Sequence, residues 1–117
     1  MGKTKSIIQE DMTTCYCQFI NYDIFGCGGR LNVHHVCYGT SRRKISDKEG
    51  LVVALCYNHH KGTNGVHGKN GAYLSNMLKK IAQKKWEEKY IDEYPYKNHA
   101  EESAREQFRQ MMGESYL

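Results

Sequence analysis

The chain has 117 residues with five cysteines, six histidines, 39% hydrophobic residues and a mean hydropathy of −0.75. That describes one domain with a modest core, small enough for a structural metal to be a natural supplement, and no apolar run suits a bilayer span. The net charge of +4 is unevenly spread: residues 28–86 carry +9 and residues 87–117 carry −4, a basic body and an acidic tail that suit a polyanionic partner.

Residues 1–13 are polar and unpatterned and read as a loose arm, with no secretory h-region between Met1 and Asp11. The expected location is therefore the cytoplasm, where cysteines ligate metals or stay free. From Thr14 to Arg30 the chain is rich in Cys, Gly and aromatics, and Gly26-Cys27-Gly28-Gly29 demands sharp turns. Leu31 to Val36 reads as a short strand, with Asn32, His34 and Val36 on one face and Leu31, Val33 and His35 on the other. Gly39 to Lys48 reads as a basic loop, and Leu51 to Leu55 as a buried strand or short helical turn.

After Cys56-Tyr57-Asn58-His59-His60 comes a loop punctuated by Gly62, Gly65, Gly68 and Gly71. A helix is predicted from about Ala72 to Tyr90, because Leu74, Leu78, Ala82, Trp86 and Tyr90 form an i, i+4 row flanked by Met77 and Ile81. Pro95 interrupts, and a shorter helix from about His99 to Met112 ends at Gly113. The expected class is α+β: the arm, a metal-stabilised domain over 14–94, and a helical extension over 95–117 packed on it.

The chemistry-bearing residues are the cysteines and histidines. Cys56-x-x-His59 has the spacing of half a zinc knuckle, since two ligands three residues apart can turn onto one tetrahedral ion. Cys27 followed by Gly28 is the natural upstream ligand, with Cys15 or Cys17 as its partner and Cys37 left over. Five of the six histidines fall between His34 and His67, interleaved with these cysteines. Adjacent residues of a flat strand point to opposite sides, so His34 and His35 serve one site only if the strand end twists or bulges. Then one imidazole would bind metal and the other address a water, with His60 as a second ligand and His67 as a third. Such a set suits phosphodiester hydrolysis: a near-neutral imidazole takes a proton from water, and a divalent cation offsets the charge of phosphate and leaving oxygen. Arg42, Arg43 and Lys44 follow the first strand, placed to grip flanking phosphates.

These residues resemble the HNH (ββα-metal) endonuclease superfamily, most closely small phage and prophage proteins related to recombination-enhancing HNH nucleases. The likeness runs through LNVHHVCYGTSRRKISDKEGLVVALCYNHHKGTNGVHG, residues 31–68, and more weakly through the lysine-rich helix and the ending Gly-Glu-Ser-Tyr-Leu. It implies a β-hairpin and helix clasping one catalytic metal (Mg2+ or Mn2+), beside a structural zinc knuckle and ahead of the long and short helices. Residue by residue, His34 matches a metal ligand, His35 the general base, and His60 the metal-binding histidine after the knuckle. His59 replaces the knuckle's final cysteine. The third ligand falls on His67 or Asn64, with His67 favoured. Two departures stand out: Glu49-Gly50-Leu51 has no counterpart of the middle Asn that orients the base, and Gln18 to Phe25 stretches the upstream cysteine pair. Asp47 is a candidate to position the site in that Asn's place.

The implied partners are DNA and a recombinase or other phage or host DNA-processing protein, with the chain a monomer or homodimer and no membrane involved. The rival reading is a non-catalytic, zinc-stabilised module on the same scaffold that binds nucleic acid or a host protein.

Overall fold

The computed structural model describes residues 5–94 and 100–117, and it is α+β. A two-stranded antiparallel sheet joins β1 (Leu31–His35) to β2 (Val52–Cys56). Among the described residues there are four α-helices: α1 (Arg42–Glu49), α2 (Tyr57–His60), α3 (Ala72–Glu93) and α4 (Ala100–Met112). Two short 3-10 turns, Tyr16–Gln18 and Ile24–Gly26, precede the sheet. The expected break at Pro95 and helix start at His99 lie outside the described residues.

The strands pair without a bulge, from Leu31 opposite Cys56 to His35 opposite Val52. β2 is buried along its whole length, as its apolar run demands, while β1 alternates between faces. Val53 and Leu55 meet Leu74, Leu78 and Ala82 of α3 and Phe108 and Met112 of α4 in one core with Val36 and Leu51. The predicted row on α3 is therefore its buried side, although Gln83 and Glu87 are buried as well. These polar residues anchor the C-terminal part: Arg105 of α4 pairs with Glu87 at 3.1 Å, and Gln83 Oε1 accepts the Tyr116 N–H at 2.6 Å.

Two elements differ from the sequence expectation. The basic segment after β1 is helical, not a loop. α1 buries little apolar surface and is held instead by Ser46, whose hydroxyl donates to the Cys37 carbonyl (2.6 Å) and accepts its N–H (3.1 Å). Gly50 ends this helix in the left-handed region, φ 76°, and a Cβ there would collide with the Lys5 carbonyl. The arm, read as loose over residues 1–13, is tied down from Lys5 on. Ile7 N–H donates to the Gly50 carbonyl, Ser6 Oγ to the Val52 carbonyl, and the Ala54 N–H donates to buried Gln9 Oε1 at 2.8 Å. No described helix is long and apolar enough to cross a membrane.

Candidate metal and hydrolytic centre

The first site forms where the 3-10 turns meet the end of β2. Cys15, Cys27, Cys56 and His59 bring one ligand atom each within 4.8 Å of one another, a group able to hold a metal ion such as zinc. His59 Nδ1 lies 3.7, 3.5 and 3.3 Å from the sulfurs of Cys15, Cys27 and Cys56. Zinc–sulfur and zinc–nitrogen bonds at tetrahedral angles place such atoms roughly 3.5 Å apart, so the donor set fits the ion. The Gly28 N–H points at Cys56 Sγ (3.4 Å) and Gln18 Nε2 at Cys27 Sγ (3.1 Å), donors that suit thiolates.

The choice between Cys15 and Cys17 is made by position: Cys15 joins the group and Cys17 does not. Their electrostatics run opposite ways: the neighbouring Cys15 side chain and burial push the Cys17 thiol up, and the Cys17 side chain holds Cys15 down to about 4. Cys37, expected to be spare, is buried elsewhere in the core.

The second site lies on the other side of α2. His34, His60 and His67 bring their ligand atoms within 4.8 Å of one another, and their ring centroids are 5.0–5.2 Å apart. β1 supplies His34 from its inward face and α2 supplies His60. His67 arrives because the glycine loop folds back on α2, its N–H donating to the His60 carbonyl at 2.9 Å. That return is close enough that a Cβ on Gly68 would strike the Gly62 carbonyl. Asn64, the other candidate for third ligand, has its side-chain oxygen occupied by Asn70 at 3.3 Å.

The electrostatics favour neutral rings with free lone pairs. Burial, reinforced by the neighbouring histidines, pushes His34 down to about 3, and burial pushes His60 down to about 4. His67 is lowered by burial and by Lys61. His34 Nε2 is buried without any hydrogen-bond partner, which a bound cation would satisfy. Tyr38 walls the cluster, its ring 4.9 Å from that of His67 and 5.9 Å from that of His34.

His35 obeys the strand's alternation: no bulge turns it toward the histidine cluster. It still lines the same cleft of about 410 Å³ as His34, Tyr38, Arg43, His60 and His67. Its Nε2 is 3.3 Å from Asp47 Oδ1 of α1. Beyond it opens a larger cavity, about 750 Å³, lined by His35, Thr40, Arg43, Lys44 and Asp47. Arg42 departs from expectation. It pairs with Glu114 at 2.6 Å and donates to the Met112 carbonyl, clamping α1 to the C-terminal segment.

Compared with known proteins, the chain matches no family model, no curated protein and no solved structure. Sequence reasoning overlooked Asp23 and Asn32, which contact His59 and His60. For Asn32 the signal was present, because it shares a strand face with His34.

Proposed function

We propose that this chain is a metal-dependent DNA endonuclease of the HNH type, hydrolysing phosphodiester bonds in the cleft between β1, α1 and the glycine loop. The observation that carries this reading is the convergence of His34, His60 and His67 beside His35 in one cleft lined by a basic residue. Such an arrangement holds the parts hydrolysis needs: a cation site, a base and phosphate grips. A zinc-stabilised binding module would have no use for a buried, unpartnered imidazole nitrogen next to a second, accessible histidine.

His34, His60 and His67 would hold a divalent cation, and three imidazoles with no carboxylate suit Mn2+ or a later transition ion better than Mg2+. When bound, it would offset charge on the phosphate and the leaving 3′ oxygen. The remaining steps belong to side chains. Asp47 can only accept, so the hydrogen it receives from His35 sits on Nε2 and the lone pair on Nδ1. Nδ1 is then the atom that takes the proton from the attacking water. Arg43 and Lys44 line the adjoining cavity and hold flanking phosphates. The thiolate group takes zinc and serves structure. A role in phage DNA recombination or processing is compatible with this chemistry.

Plasmid nicking with Mg2+ or Mn2+ tests the reading. Wild type should nick, and His35→Ala should lose about 10²–10⁴-fold in rate while retaining metal and DNA binding. Unchanged nicking in the variant, or none in the wild type, would sink the nuclease and leave the binding module.

A further inference from the structure

His59 and His60 are chain neighbours on one helical turn, yet they face different donor sets, three thiols for one and two imidazoles for the other. A neutral imidazole has a single lone pair, and the position of its one hydrogen decides which nitrogen offers it. Something must set that hydrogen differently on two adjacent rings.

We propose that Asp23 and Asn32 do so, as positioning residues that fix opposite tautomers and sort the two histidines into separate metal sites. The inference rests on reading both groups as metal sites, and is independent of nuclease activity.

Asp23 Oδ2 lies 3.1 Å from His59 Nε2. The carboxylate only accepts, so Nε2 carries the hydrogen and Nδ1, the atom facing the three sulfurs, keeps the lone pair. The His59 ring is 1% exposed, while the Asp23 side chain that meets it is 44% exposed. Asp23 reaches this position in the left-handed region, φ 46°, with its carboxylate against Gly26, where a Cβ would collide with it. Any larger residue at 26 would displace the acceptor.

Asn32 acts on the next ring. Its Nδ2 donates to the Leu31 carbonyl at 3.2 Å, which turns Oδ1 toward His60 Nδ1 at 3.1 Å. An amide oxygen accepts, so Nδ1 of His60 is the protonated nitrogen and Nε2 keeps the lone pair. Strand alternation puts Asn32 on the same face as His34, so β1 provides a ligand and the positioning residue for another. Outer acceptors of this kind orient ligating histidines and raise their basicity, with about 10–100-fold in metal affinity at stake.

The test measures the two sites separately, with Co2+ absorption for the thiolate site and Mn2+ paramagnetic resonance for the histidine site. Asp23→Ala should weaken Co2+ binding about 10–100-fold and leave Mn2+ binding alone, and Asn32→Ala should do the reverse. Asp23→Asn, which keeps an accepting oxygen beside His59, should stay within a few-fold of wild type by the same reasoning. Long-range 1H–15N spectra should place the hydrogen on Nε2 of His59 and on Nδ1 of His60. Equal losses at both sites in either alanine variant, unchanged affinities, or the opposite tautomers would overturn the assignment alone. A wild type that takes no metal at either site would overturn the metal reading and this inference with it.

Discussion

At the scale of single residues, burial does most of the chemistry. His34 and His60 are held at about 3 and about 4 against an ordinary 6.5, so the folded chain resists protons that the unfolded chain takes up. The sign follows from linkage: stability rises with pH wherever the unfolded state binds more protons. Protein stripped of loosely held metal should therefore lose melting temperature steadily as pH falls from about 6.5 toward 4, with no contribution from these groups above that range. Thermal melts across that range check it, and His34→Gln should flatten the profile; a slope unchanged by the substitution would contradict the assignment. On the proposed mechanism Asp47 acts through His35, 3.3 Å away, and not on the metal. Asp47→Ala should lower the nicking rate constant by part of the roughly 10²–10⁴-fold that a general base supplies, with KM and Mn2+ affinity little moved. Steady-state kinetics separates these, and a change confined to KM would assign Asp47 to substrate binding.

At the scale of elements, polar contacts place what hydrophobic periodicity leaves unplaced. α3 was legible because Leu74, Leu78 and Ala82 repeat at helical spacing, whereas the apolar run of β2 foretold its burial and left strand or short helical turn open. α1 was not, because Ser46 holds it through paired hydrogen bonds to Cys37 and no apolar stripe marks it. The N-terminal segment escaped notice for the same reason: Gln9 plugs the outer edge of β2, accepting from Ala54 N–H and donating to the Asp11 and Thr14 carbonyls, each at 2.7 Å. Gln9→Ala strands a buried backbone donor and two carbonyls, and should cost about 1–3 kcal/mol in urea denaturation. A loss within ~0.5 kcal/mol would show that water replaces the side chain, as at an ordinary surface position.

At the scale of the molecule, the Cys15, Cys27, Cys56 and His59 group gathers segments that carry little regular structure. Its ligands come from Cys15, Cys27 and the β2–α2 junction, and two of those sit in stretches with only short 3-10 turns. Zinc bound there would contribute folding energy directly, about 10–16 kcal/mol in small zinc domains, against a total stability of about 5–15 kcal/mol. The purified protein should hold about one zinc per chain that survives mild chelation, and forced removal should unfold it cooperatively. Metal analysis with circular dichroism reads both; a chain that keeps its far-ultraviolet spectrum after complete demetallation would show that the core suffices alone. A cation held by His34, His60 and His67 would sit at the edge of an open cleft, and its removal should leave the chain folded.

The paired histidines show where sequence reading ends. Residue identity and spacing were enough to outline both donor sets, with Cys15 or Cys17 and His67 or Asn64 left open, because metal chemistry needs few residue types and Cys-x-x-His limits how a chain can turn. The α+β class followed from two apolar periodicities. Which cysteine joins the group and where Arg42 points depended on contacts between segments far apart in the chain, which no local pattern encodes. Tertiary structure alone decided that Arg42 holds the C-terminal segment while Arg43 lines the cleft, and that Asp23 and Asn32 stand against His59 and His60. The physical reason is that a short polar contact is set by where two segments happen to meet, whereas burial and ligand chemistry are written residue by residue.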